Sequence, residues 1–173
     1  MEEALRRIQT WKRIGNTEKV LYLSFLKLFE LPALPNNLKK LDCSFNHLTW
    51  IRVLPHNLRE LYCEENRLKA PPILPPCLKV FVCSGNQLKT LPSLPPKLEW
   101  LDCKNNRLEA LPILPPRSRV LICSDNRLKT LPVLPPDLWR LDCNNNCIRM
   151  FPDLPPGLTL FYFSGNLLTE IWR

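Results

Sequence analysis

Glycine and histidine are scarce in this chain, with four glycines and two histidines among 173 residues. Gly15, Gly85, Gly157 and Gly165 are too few and too scattered to build a phosphate-cradling loop. Neither G-x-G-x-x-G nor a P-loop pattern occurs, so nucleotide-dependent chemistry has no visible seat. His47 and His56 fall on expected turns without Cys/His ligand spacing or a nucleophile beside them. No acid–base pair, metal set or nucleophile constellation can be assembled, so an enzyme, a cofactor and a bound metal are not expected. No apolar run approaches the ~20 residues that span a bilayer. The start, Met1-Glu2-Glu3-Ala4-Leu5-Arg6-Arg7, lacks a signal peptide's basic-then-apolar order. A soluble chain is expected unless a leader was trimmed.

What is abundant is more instructive. Hydrophobic residues make up 45%, enough for a core, and the net charge is +8, which favours an anionic or acidic partner. The 19 prolines would argue for a loose chain, but their spacing reverses that reading. Stacked at a period of 20, the chain reads Leu34-Pro35…Leu38…Leu41-Asp42-Cys43…Asn46…Leu48, then Leu54-Pro55…Leu58…Leu61-Tyr62-Cys63…Asn66…Leu68. The frame returns without insertion or deletion through Leu154-Pro155…Leu158…Phe161-Tyr162-Phe163…Asn166…Leu168. Asn46, Asn66, Asn86, Asn106, Asn126, Asn146 and Asn166 hold one column; Cys43, Cys63, Cys83, Cys103, Cys123 and Cys143 hold another. A weaker leading coil, Leu21-Tyr22-Leu23…Leu26…Leu28…Leu31-Pro32, brings the array to eight coils over residues 18–173.

Each coil should carry a short strand at Leu-x-Cys, alternating inward and outward, paired in parallel with the next about 4.8 Å away. Eight layers then form a rod about 35–40 Å long. A 20-residue circuit leaves no room for a helix on the return side, and the Leu-Pro-x-Leu-Pro-Pro runs favour a polyproline-like back wall. The column asparagine sits where the chain leaves the strand, and its amide can satisfy turn backbone groups in both senses. Leu26 takes that place in the first coil, consistent with an apolar cap there. Residues 1–17 are read as that cap, a helix with Leu5, Ile8, Trp11 and Ile14 near one face and Gly15-Asn16 as its stop.

The unit Leu-Pro-x-Leu-Pro-x-x-Leu-x-x-Leu-x-x-x-x-Asn-x-Leu, with a helical N-terminal cap, resembles the short bacterial-effector type of leucine-rich repeat. The resemblance implies a right-handed solenoid with a parallel sheet on its concave face. It implies for function a recognition part, as in secreted effectors of pathogens and effector ubiquitin ligases. Two departures stand out: a cysteine ladder where that type usually has an aliphatic residue, and no ligase catalytic domain. A cysteine-bearing repeat is also similar to what large DNA viruses of protists encode.

The cysteine ladder reads either as a metal or redox array or as buried thiols filling a narrow core position. Thiols spaced by 20 residues lie in a line along the rod rather than converging on one point, and Phe163 ends the column, which favours packing. With no plausible pairing scheme for eight cysteines, a reducing compartment is expected, in the producing or host cell. Cys77 and Cys147 lie off the ladder, and nothing beside them in sequence points to activation. Ser118 replaces the column leucine of Leu98 and Leu138, and its hydroxyl needs a partner if buried.

Outward strand positions carry Tyr62, Val80, Val82, Trp100, Val120 and Ile122 on adjacent coils, an apolar patch edged by charge. Such a patch marks a protein-binding surface, against the plainer reading that sheets favour β-branched residues on both faces. A basic edge of Arg67, Lys69, Lys89, Arg107, Arg127, Lys129 and Arg149 runs beside the asparagine column. It could meet an acidic protein or be ordinary surface charge; without interleaved aromatics, nucleic acid ranks well behind. The C-terminal edge is apolar at Phe161, Phe163, Leu167 and Trp172, either a self-cap in which Ile171-Trp172 folds over or a face for a packing partner. Two functions stay open. One is a non-catalytic interaction or assembly protein, including a structural component of a large particle such as a virion. The other is a secreted effector module that recruits a host protein.

Overall fold

The computed structural model describes residues 1–169. Helix α1 (Glu2–Ile14) precedes eight short strands. These are β1 (Leu21–Tyr22), β2 (Lys40–Asp42), β3 (Glu60–Tyr62), β4 (Val80–Val82), β5 (Trp100–Asp102), β6 (Val120–Ile122), β7 (Arg140–Asp142) and β8 (Leu160–Tyr162). They form one parallel sheet in chain order. Its register steps by one repeat at every pairing, Leu41 against Leu61, Leu61 against Phe81, Phe81 against Leu101. The residue after each strand extends the ladder: the Cys63 N–H donates to Val82 O at 2.8 Å and that of Cys83 to Asp102 O at 2.8 Å.

The return side is extended and free of helix, as the prolines require. From the second coil on, each closes it with the same tight turn, in which the N–H of the column leucine, or of Ser118 in its place, donates to the proline carbonyl three residues earlier. Leu78 to Pro75 (3.1 Å), Leu98 to Pro95 (3.0 Å) and Leu138 to Pro135 (3.1 Å) are examples. Pro76, Pro96 and Pro136 occupy the second position of these turns, where a fixed φ is preorganised and no N–H is needed. The back wall is thus ordered by its prolines.

Between sheet and wall lies one continuous core. Leu41, Leu61, Phe81, Leu121 and Leu141 are fully buried, as are Cys43, Cys63, Cys83, Cys103, Cys123 and Cys143. Ser118 is buried in its leucine column, and its hydroxyl meets Leu98 O at 3.5 Å.

The asparagine ladder works as the sequence predicts. Asn66 Nδ2 donates to Cys43 O of the previous coil (3.1 Å), to Cys63 O (3.2 Å) and to Glu64 O (3.2 Å). Its Oδ1 accepts from Leu48 N (3.0 Å). In the leading coil, Leu26 N and Leu28 N both donate to Asn46 Oδ1. One side chain therefore satisfies its own turn and staples it to its neighbour.

The N-terminal cap forms as expected, but on a different stripe. Ala4, Ile8 and Trp11 are buried, whereas the predicted Leu5 and Ile14 are about half exposed, at 47% and 51%. Positions 4, 8 and 11 fall within about 60° of one another at 3.6 residues per turn, and Leu5 and Ile14 flank that stripe on either side. Trp11 Nε1 donates to Lys19 O (2.9 Å), tying the helix to the approach to β1. Gly15, at φ 70°, returns its N–H to Trp11 O (3.3 Å) and ends the helix in the left-handed conformation that glycine takes without cost.

Candidate interaction surfaces

The concave floor is built from the outward positions of the strands. In register these run Lys40, Glu60, Val80, Trp100, Val120, Arg140, Leu160 and, two residues on, Tyr22, Asp42, Tyr62, Val82, Asp102, Ile122, Asp142, Tyr162. Tyr62, Val80, Val82 and Trp100 are half-buried and contiguous across β3 to β5. Two predicted members of the patch are not surface residues: Val120 is 2% and Ile122 7% exposed. Trp100 and Arg140 lie in register on either side of Val120, and Asp102 and Asp142 beside Ile122. At ~4.8 Å between strands, the long Trp100 and Arg140 side chains shield the short, branched Val120. The apolar surface is therefore shorter than the residue types imply, centred on Tyr62 and Trp100.

The floor is also more acidic than the chain as a whole. Asp42, Asp102 and Asp142 each accept the N–H two residues on, from Ser44 (3.0 Å), Lys104 (3.1 Å) and Asn144 (3.2 Å). These aspartates thus shape the strand exit, an Asx-type bond, besides carrying charge. Burial raises the Asp102 and Glu64 carboxyls above the usual carboxylate range. Lys40 and Glu60 pair at 2.9 Å, and the Tyr62 hydroxyl donates to Glu60 Oε2 at 3.2 Å. Desolvation and the adjacent Glu60 push the Tyr62 phenol up to about 12.

The predicted arginines stand elsewhere. Arg67, Arg107 and Arg127, with Lys69, Lys89, Lys129 and Arg149, are exposed on the turn edge that leaves the strands, and none is in a salt bridge with another described residue. The residues singled out from the sequence thus fall on two surfaces, a floor and an edge. At the C-terminal end, Phe161 and Phe163 pack with Phe151, ring centroids 4.7–5.8 Å apart, leaving Leu160, Tyr162, Phe163 and Leu167 exposed. Ile171 and Trp172, the expected fold-over, lie outside the described residues.

The thiol ladder is buried, and desolvation raises every member, Cys143 to about 12. Cys43 Sγ and Cys63 Sγ donate weakly to Tyr62 O and Val82 O, both at 3.4 Å. Cys77 and Cys147 are partly exposed. Among the described residues, no three His, Cys, Asp or Glu side chains converge to hold a metal. No helix among them is long and apolar enough to cross a membrane.

One feature escaped the sequence reading. The residue before each column asparagine, and before Leu26 in the leading coil, has positive φ throughout: Phe25, Phe45, Glu65, Gly85, Asn105, Asp125, Asn145 and Gly165, between 49° and 70°. Glycine, asparagine and aspartate, which tolerate this conformation, fill five of these places. Phe25 and Phe45 do not tolerate it; each costs about 1–2 kcal/mol there. Their rings stack at 4.5 Å and 6°, which returns only ~0.5–1.5 kcal/mol for the pair. They are nonetheless 70% and 44% exposed, beside Phe29, which is 67% exposed and tilts against His47 at 5.4 Å. The signal was present in the sequence as a column of Gly, Asn and Asp interrupted by Phe25, Phe45 and Glu65.

A parallel sheet with one strand per 20-residue coil, an asparagine ladder and a helical cap defines a leucine-rich-repeat solenoid. No protein-family model matches the chain, and no curated protein sequence does. Solved structures do match. YopM, a leucine-rich effector protein from Yersinia pestis, superposes with a TM-score of 0.81 at 34% identity, over 96% of this chain and 54% of that one. YopM from Yersinia enterocolitica gives 0.70 at 38% identity, over 86% of this chain and 38% of that one. The leucine-rich-repeat domain of a Shigella effector gives 0.67 at 31% identity, over 98% and 68%. The chain belongs to the leucine-rich-repeat family, in its bacterial-effector type. It spans about half or less of the YopM chains it matches.

Proposed function

We propose that this chain is an effector-type recognition module, without catalysis of its own, that holds a protein partner on its concave floor. The observation that carries this is the half-buried cluster of Tyr62, Val80, Val82 and Trp100, bordered by the Lys40–Glu60 pair on one side and Arg140 on the other. Aromatic anchors inside a charged rim are the anatomy of a protein interface. The likeness to three bacterial effector structures supports the effector reading over that of a particle component. Burial of the whole thiol ladder suits work in a reducing compartment, where the two off-ladder cysteines stay free.

Cross-linking mass spectrometry in the source or host cell, with wild type and Trp100→Asp, tests the assignment. Trp100→Asp should cut partner cross-links at least about tenfold while the circular dichroism spectrum stays native, as for loss of an interface anchor. Cross-links confined to the proline-rich back wall, or unchanged recovery with Trp100→Asp, would sink it.

A further inference from the structure

We propose that the turn edge of the first two coils is a membrane-docking surface, inserting Phe25, Phe45 and Phe29 into the headgroup region of an anionic bilayer. This surface is distinct from the concave floor and does not depend on the reading given to it. The first premise is conformational. Phe25 and Phe45 occupy a left-handed backbone position that the same fold fills with asparagine at Asn105 and Asn145. The stack offsets part of that strain, and little burial follows, because both rings remain exposed. Their presence is thus not accounted for by folding and requires an occupant that takes up apolar side chains.

The second premise is electrostatic. Lys27 lies between Phe25 and Phe29 in sequence and is itself at φ 53°. Past His47 and Thr49 on the same edge come Arg67 and Lys69, both exposed and in no salt bridge among the described residues, with Glu65 the acidic residue of that coil. Apolar side chains at one end of an edge on which exposed Arg67, Lys69, Lys89, Arg107, Arg127, Lys129 and Arg149 outnumber Glu65, Glu109 and Asp125 match the layering of an anionic membrane, headgroup charge over acyl chain. The rings sit on turns at the edge of the rod rather than in the concavity, as insertion requires.

Co-sedimentation of the full chain with vesicles tests this, using phosphatidylcholine alone and phosphatidylcholine with about one third phosphatidylserine. Wild type should partition onto the anionic vesicles about tenfold more strongly than onto the neutral ones, and salt should weaken it. The double variant Phe25→Asn/Phe45→Asn should lose at least about tenfold in partition while melting no lower than wild type, since asparagine suits the backbone there. Lys27→Glu with Arg67→Glu should lose the preference for phosphatidylserine. Failure of wild type to bind either vesicle overturns the proposal, and so does equal binding by the phenylalanine double variant. A double variant that leaves vesicles unaffected but loses a protein cross-link assigns the edge to a protein instead.

Discussion

Replacing Asn106 by alanine separates the asparagine ladder's contribution from that of the leucine core. In the native chain, Asn106 Nδ2 donates to Cys83 O (3.0 Å), Cys103 O (3.2 Å) and Lys104 O (3.2 Å), and Oδ1 accepts from Leu88 N (3.0 Å). All three carbonyls keep another donor in the variant. Cys83 O retains Asn86 Nδ2 (3.1 Å), Cys103 O retains Asn126 Nδ2 (3.0 Å) and Lys104 O retains the Gly85 N–H (3.0 Å). The buried Leu88 N–H has no second acceptor among the described residues. Orphaning it costs about 1–3 kcal/mol, and losing three shared bonds adds on the order of 1 kcal/mol in all. A loss of about 2–4 kcal/mol is therefore expected.

Two companions sharpen the test. Asn106→Asp keeps an acceptor for Leu88 N but turns a second oxygen toward the carbonyls, so it should be at least as damaging as alanine near neutral pH. Asn166→Ala sits at the less buried end: Asn166 donates to Cys143 O (2.9 Å) and Phe163 O (2.8 Å) and accepts from the Ile148 N–H (3.1 Å), and water reaches this coil more readily than that of Asn106. Partial access of water to the freed Ile148 N–H should hold the cost to about 1–2 kcal/mol, below that of Asn106→Ala. Urea unfolding followed by far-ultraviolet circular dichroism and tryptophan fluorescence gives the differences, provided the two probes coincide, because stacked coils can lose cooperativity. An Asn106→Ala variant within about 0.5 kcal/mol of wild type would refute the reasoning. An Asn106→Asp variant more stable than the alanine variant would refute the geometry.

Thiol titration of the native chain near pH 8 should count two reactive cysteines, Cys77 and Cys147, and eight after denaturation, since burial holds the ladder thiols protonated. Rapid reaction of any ladder thiol without unfolding would contradict the packing. For Asp102, burial raises the carboxyl above its ordinary 3.8, only partly offset by the Lys104 N–H. The stability this group contributes is full below that ordinary value and is lost as pH rises through the raised one. Asp102→Asn, which keeps the Oδ1 acceptor, should be more stable than wild type at about pH 7 and indistinguishable at about pH 3 in thermal melts. A gain that persists in acid would show that charge is not its cause.

The leucine, cysteine and asparagine columns were legible, because in a solenoid each coil meets only its neighbours and the column predicts the contact. Leu41, Cys43, Asn46 and Leu48 recur, and sheet, core and ladder follow with the register intact. Exposure was less legible. Alternation along a strand says which way Val120 points, but the size of Trp100 and Arg140 on the adjacent strands sets how much water it sees. The cap misled for a similar reason: Leu5 and Ile14 are apolar, yet the docking stripe runs through the smaller Ala4.

The left-handed column was invisible to a hydrophobic reading because its constraint is steric, not apolar. Asn, Asp and Gly share no hydropathy signal with one another that a periodicity search rewards; what they share is tolerance of positive φ. Once that shared property defines the column, Phe25 and Phe45 become departures that oppose the local backbone preference rather than merely decorating it. A substitution the backbone resists, left exposed, carries more information about an external contact than an apolar residue on a strand, where β-propensity alone accounts for its presence. By that measure the edge of the first two coils is a stronger indication of contact than Val80 or Val82 on the floor. Trp100, whose size β-propensity does not require, is the floor residue whose removal should report most.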